Sequence, residues 1–139
     1  MKYKTRILHD KAADTVSAVL FGRRCFACKK LIPAFSSERF CRDCKESIKP
    51  FEDCLFYGNG NEILVSSAPY FGAWRKSLIW FKFYGRREIG YYHAEKLAEN
   101  IRKNIDISDF DGVLCVPCKT LNKNRRYNQA EVLARRVAL

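Results

Sequence analysis

The sequence predicts an α/β chain in which a cysteine-clamped module precedes a domain with an incomplete sheet. Three observations carry that expectation. Two Cys-x-x-Cys pairs, Cys25-Phe-Ala-Cys28 and Cys41-Arg-Asp-Cys44, are separated by twelve residues. Beyond them, segments alternate in the order helix, helix, strand, loop, helix, the pattern of an α/β domain. The strand of that series, Val113 to Pro117 in "DFDGVLCVPC", is a continuous apolar run of the kind buried on both faces of a parallel sheet.

Taken in order, residues 1–22 form an N-terminal segment with a helix expected at 10–21. Ala13, Val16 and Leu20 share one face there, and Gly22 ends it. Residues 23–58 are the cysteine module, closed by the turn signal "YGNGN" at 57–61. Residues 62–139 make the α/β part. In it "EILVSSAPYFG" (62–72) reads as a strand, with Pro69 marking an edge. Residues 73–84 read as a helix with Trp74, Leu78 and Phe81 on one stripe. A second helix over 88–104 repeats Ile89, Tyr92, Leu97 and Ile101 near the 3.6-residue period. A basic loop, "KTLNKNRRYNQ", then leads to a helix that starts after Asn128.

The spacing of the cysteines suits a structural metal. A Cys-x-x-Cys turn aims two sulfurs at one point, and two such knuckles complete a tetrahedral Zn²⁺ site with no position left for water. Cys25, Cys28, Cys41 and Cys44 are therefore the expected ligands of a zinc ribbon. Lys29, Lys30, Arg39, Arg42 and Lys45 surround them, offsetting the charge of four thiolates. A segment this short cannot bury a core of its own, so metal binding is what folds it. The alternatives are buried cysteines and redox pairs. Cys54 falls outside the clamp and reads as a buried structural thiol.

The chain carries 26 Lys and Arg against 15 Asp and Glu, a net charge of +11, which favours polyanionic partners. No apolar run reaches the roughly 18–20 residues of a membrane span. Asp10, Lys11 and Asp14 interrupt any secretory pattern, so the expected location is cytoplasmic, where thiols stay reduced. Seven cysteines, an odd number, also fit poorly with a pure disulfide framework.

Two segments resemble the ComF family, phosphoribosyltransferase-like proteins linked to natural competence. They are "VPCKTLNKNRRYNQAEVLARR" and, upstream, "YFGAWRKSLIWFKFYGRREIG"; the cysteine module precedes both in the family's order. The resemblance spans most of residues 20–139. It implies an N-terminal zinc ribbon followed by a Rossmann-like, type I phosphoribosyltransferase domain, and a role in DNA uptake with competence-machinery proteins as partners. It also implies that Pro117 approaches a pyrophosphate and that Arg125, Asn128 and Gln129 belong to a mobile hood. Lys82 and Arg86 would add positive charge nearby, or are solvated turn residues.

The chain departs from the family pattern in four ways. Arg126 replaces a Gly, the stretch from Pro117 to Asn128 is about one residue short, and Tyr57 stands where many members have a further cysteine. The acidic strand end and Thr/Gly-rich loop that hold phosphoribosyl pyrophosphate are missing. The chain therefore reads as truncated before that loop and inactive as a transferase, with no catalytic residue. Phosphoribosyl pyrophosphate and Mg²⁺ would enter only with a full-length domain, and the cut α/β part is expected to be poorly soluble or partner-dependent.

Two other functions compete. The first is a non-catalytic zinc-ribbon module for single-stranded DNA. Phe26, Phe35, Phe40, Trp74, Trp80 and Tyr84 would stack bases there, and basic side chains would hold phosphates. The second is thiol redox chemistry at Cys115-Val-Pro-Cys118. It is disfavoured because "KTLNKN" reads as loop where a helix would have to begin.

Overall fold

The structure, a computed structural model, describes residues 22–33, 36–48, 55–60, 62–118 and 127–138. The helix expected at 10–21, Phe35, Cys54 and Arg125 lie outside them. The described chain begins with a two-stranded antiparallel ladder, β1 (Arg23–Arg24) and β2 (Leu31–Ile32), paired Arg23 to Ile32 and Arg24 to Leu31. A short helix follows, α1 (Arg42–Glu46). A second antiparallel hairpin joins β3 (Leu55–Tyr57) to β4 (Ile63–Val65) in the register Leu55–Val65, Phe56–Leu64, Tyr57–Ile63. Its turn closes where Gly58 N–H donates to Glu62 O at 3.0 Å. The longest elements are helices: α2 (Gly72–Phe83), α3 (Arg87–Asn104) and α4 (Gln129–Val137).

These helices form where the apolar period expects them: α2 is shifted by one residue at both ends, α3 starts one residue early and ends as expected, and α4 starts after Asn128 as expected. Their packing gives each a distinct inner face. α2 buries Ala73, Trp74, Ser77 and Phe81, while α3 buries Ile89, Gly90, His93, Ala94 and Ala98. Leu97 and Ile101, expected on the core stripe of α3, instead line an open apolar groove of about 790 Å³ with Val65, Ile105 and Phe110. α2 and α3 join through a tight turn at Gly85, whose φ of +70° is the left-handed region that glycine enters without strain.

Close approach of α2 to α3 depends on Gly90. A Cβ at that position would fall 2.3 Å from Cε2 of Phe81, a ring that is itself 1% exposed and has nowhere to turn. Gly90→Ala is therefore expected to destabilise the chain by about 1–3 kcal/mol, although alanine is the better helix former. Denaturant unfolding of the two proteins checks it, and an unchanged midpoint would contradict this packing.

Past α3 the chain turns once through Ile107–Asp109 and reaches the segment expected to be a buried strand. It is no strand. Val113–Pro117 has no ladder partner among the described residues, and Leu114 is 97% exposed. A strand needs neighbours to accept its hydrogen bonds as much as it needs apolar side chains, and among the described residues none adjoins it. Tyr127 then anchors the chain back: its hydroxyl donates to the Phe81 carbonyl at 2.7 Å, and the Arg87 guanidinium lies 4.6 Å from its ring centre. Burial pushes the Tyr127 phenol up to about 12. α4 lies against α3, fixed by an ion pair between Arg136 and Glu95.

The expected fold class is thereby corrected. The described residues are mostly helical, and their only sheets are two separate two-stranded antiparallel ladders. A Rossmann-like phosphoribosyltransferase domain needs parallel strands with crossover helices between them, and no parallel pair occurs among the described residues. No described helix is long and apolar enough to cross a membrane.

Candidate metal centre

The first knuckle is the turn between β1 and β2. Cys25 N–H donates to Lys30 O at 2.9 Å and Lys29 N–H to Cys25 O at 3.1 Å, which curls Cys25-Phe-Ala-Cys28 so that both sulfurs point inward. Lys29 takes a left-handed φ of 66° to complete the curl. The second knuckle opens α1: Cys41 is its N-cap residue and Cys44 follows on its first turn. A single backbone bond, Phe26 N–H to Arg39 O at 3.0 Å, draws the two knuckles together.

The four sulfurs of Cys25, Cys28, Cys41 and Cys44 all lie within 4.8 Å of one another. Cys28 Sγ and Cys41 Sγ are 3.5 Å apart. A tetrahedral zinc with Zn–S bonds of about 2.3 Å sets its sulfurs about 3.8 Å apart, so the cage fits that ion. It does not fit disulfides, whose sulfurs approach to about 2.05 Å. All four thiols are free. Bound there, zinc would cross-link the knuckles through the four thiolates, leaving no place for a reacting water. Among the described residues no other cluster of potential metal ligands occurs.

The site is lopsided. Cys25 is fully buried, Cys41 and Cys44 half-buried, and Cys28 exposed. Burial raises the Cys25 thiol, but amide hydrogen bonds from Cys28, Cys41 and Ala27 outweigh it and hold its pKa at about 7. Burial, then the neighbouring thiols, push Cys44 well above the usual thiol range. Exposed ion pairs flank the cage, Lys30–Asp43 at 2.9 Å and Lys45–Glu38 at 2.6 Å. Such pairs add little stability singly.

The cage is built onto the helices. Phe26, between the first two ligands, meets Tyr92 of α3 at 5.9 Å between ring centres. Phe40, just before the third ligand, meets Tyr92 at 5.7 Å and Trp74 of α2 at 6.4 Å. Trp80 Nε1–H donates to Ala27 O at 3.3 Å, and Lys29 Nζ sits 4.0 Å above the Trp80 ring. Knuckles and helices share one core. Sequence reasoning missed this junction, although Phe26 and Phe40 standing beside the ligands were its signal. It had assigned those rings to stacking bases.

The other expected site residues are placed as follows. Asn128 caps α4, accepting from Ala130 N–H at 3.0 Å and donating to Val116 O at 3.1 Å. Gln129 Nε2 donates to Lys82 O at 2.9 Å, so these residues tie α4 to α2 and to the 113–117 segment. The side chains of Lys82 and Arg86 are exposed, with Arg86 3.6 Å from Glu88, and Pro117 is exposed in the unpaired segment.

No family model, curated protein or solved structure matches the chain. The ComF-type reading, a phosphoribosyltransferase relative serving DNA uptake and natural competence, is corrected on the fold: the described residues are mostly helical and hold no parallel sheet of the kind that domain needs. Phosphoribosyl pyrophosphate and Mg²⁺ lose their support with it. What stands is a four-cysteine centre with metal-binding geometry.

Proposed function

We propose that the chain is a non-catalytic zinc module whose ligand is single-stranded nucleic acid. The convergence of four thiols within 4.8 Å carries the first part, because a cage that fills every ligand position holds structure and leaves no site for chemistry. The second part rests on the surface around the turn between α2 and α3, beside the first knuckle. Lys82, Phe83, Tyr84, Arg86 and Arg87 are exposed there. Tyr84 is 62% exposed and its ring lies 4.3 Å from that of Trp80. Lys29 Nζ, 4.0 Å from the Trp80 ring centre, adds a positive charge beside these rings. Phe26, Phe40 and Trp74 are spent in the core and take no part.

The test is fluorescence anisotropy of a labelled oligonucleotide with the zinc-loaded chain across a salt series. Single-strand binding weakens with salt by a log–log slope of about 0.7 per phosphate contact, so Lys82→Ala with Arg86→Ala is expected to reduce the slope by about 1.4. Tyr84→Ala is expected to weaken binding at every salt concentration by about 1–3 kcal/mol. Binding that ignores salt and all three substitutions would refute the assignment of this surface.

A further inference from the structure

The four sulfurs of the cage are not equally reachable. Cys25 is wholly buried and belongs to the core shared with the helices, Cys41 and Cys44 are half-buried, and of the four only Cys28 is exposed. The exposed sulfur touches the opposite knuckle, because Cys28 Sγ lies 3.5 Å from Cys41 Sγ. A disulfide of about 2.05 Å would need that gap to close by about 1.5 Å, roughly half from each side chain. The backbone bond from Phe26 N–H to Arg39 O, 3.0 Å long, holds the knuckles in register while it closes. A zinc-bound cysteine is held as the thiolate, the form that oxidants attack.

We infer, resting on the bound zinc proposed above, that Cys28 and Cys41 are a site of oxidation by hydroperoxides, at which a disulfide between the knuckles replaces the ion as their cross-link. The Cys28 thiolate attacks one peroxide oxygen. The O–O bond breaks, Cys28 becomes a sulfenic acid, and hydroxide leaves (an alkoxide, from an organic peroxide). The Cys41 thiolate then attacks the Cys28 sulfur; the S–S bond forms and the sulfenic oxygen leaves as hydroxide. The two thiolates give up two electrons, the peroxide takes up the same two, and both leaving anions take protons from water. With two of its four ligands consumed, zinc departs as the divalent ion, while Cys25 and Cys44 remain thiols. The product differs from a chelated chain. Its new bond ties Cys28, two residues past Phe26, to Cys41, next to Phe40, so both rings keep their places on Tyr92 and Trp74.

The test is hydrogen peroxide added to the whole zinc-loaded chain, with released zinc read by a metallochromic dye and disulfides located by non-reducing peptide mass spectrometry. Release of the ion together with a Cys28–Cys41 disulfide is expected, reversed by dithiothreitol and added zinc. The oxidised, zinc-free chain is expected to retain the near-ultraviolet aromatic signal that a chelated chain loses. Cys28→His keeps a fourth ligand for zinc while removing the exposed thiolate, and is expected to slow release at least about tenfold. Cys41→His keeps the exposed thiolate but removes its partner, so Cys28 sulfenic acid is expected to accumulate and be trapped by dimedone. A chain that carries no zinc before peroxide is added would overturn the metal centre itself, and this site with it. Zinc bound at the start and retained through oxidation, a disulfide that pairs Cys25 with Cys28, or equally fast release from Cys28→His would overturn the oxidation site alone.

Discussion

Chelating the metal is expected to unfold residues 23–48 and to loosen the helices with them. Structural zinc in small modules supplies roughly 10–16 kcal/mol, which here must order two knuckles whose own secondary structure is a two-rung ladder and a five-residue helix. Phe26 and Phe40 lose their fixed places on Tyr92 and Trp74 when the cage opens, so near-ultraviolet circular dichroism falls while much of the far-ultraviolet helix signal stays. Trp80 fluorescence shifts as its bond to Ala27 O breaks. Cys25→Ser, at the fully buried ligand, is expected to abolish stoichiometric zinc binding and reproduce the metal-free spectra. Cys28→Ser, at the exposed corner, leaves weaker binding. Native mass spectrometry with thermal scans measures both, and a metal-free chain melting at the same temperature as the loaded one would contradict the account.

The second large effect is on pH, through His93. Its Nε2 lies 2.9 Å from Ser77 Oγ, both residues are buried, and the Ser77 hydroxyl donates its single hydrogen to Trp74 O at 2.8 Å. The serine oxygen must therefore accept from Nε2–H, which places the lone pair on Nδ1, a buried atom without a partner among the described residues. Protonation would put a charged N–H where nothing accepts it. Burial holds the His93 pKa down at about 4, against an ordinary value of 6.5.

The sign follows from that depression. Above pH 6.5 neither folded nor unfolded chain protonates this histidine. Between 6.5 and 4 the unfolded chain takes a proton that the folded one refuses, so stability falls as pH falls; below 4 the loss is complete. The full span corresponds to about 3 kcal/mol, with about 2 of it gone by pH 5. Loss of zinc at acid pH adds to this in any variant. The measurement is accordingly the difference between wild type and His93→Phe, by denaturant unfolding at pH 7 and pH 5. The wild type is expected to lose about 2 kcal/mol more than the variant. Equal losses would show that His93 does not set the slope.

The cage and the helices were legible in the sequence for physical reasons. Two Cys-x-x-Cys pairs at this spacing have few other uses, and Trp74 with Phe81, or Ile89 with Tyr92, repeat at the helical period. The segment Val113–Pro117 was misread because an apolar run reports what a strand's side chains prefer and nothing about whether a neighbour exists to pair with it. The Ser77–His93 pair was invisible because the two stand 16 residues apart on different helices, and only the crossing of α2 and α3 joins them. The basic, aromatic composition was read as a platform for bases, yet it cannot distinguish rings that face solvent from rings that close a core. Phe26, Phe40 and Trp74 proved to be the latter. The resemblance to a transferase family failed at the sheet, where short matching segments carried no information about long-range pairing.

The core shared by the knuckles and the helices would tie the lifetime of the whole chain to metal supply. Phe26 and Phe40 pack beside Trp74 and Tyr92 from positions next to the cage ligands. If free zinc ran short and the knuckles opened, that contact would be lost and proteases would reach a backbone that was sheltered. The fraction of molecules that survive would then track the free zinc concentration by mass action. Abundance would follow the metal with no dedicated sensor, because the fold itself is the titration.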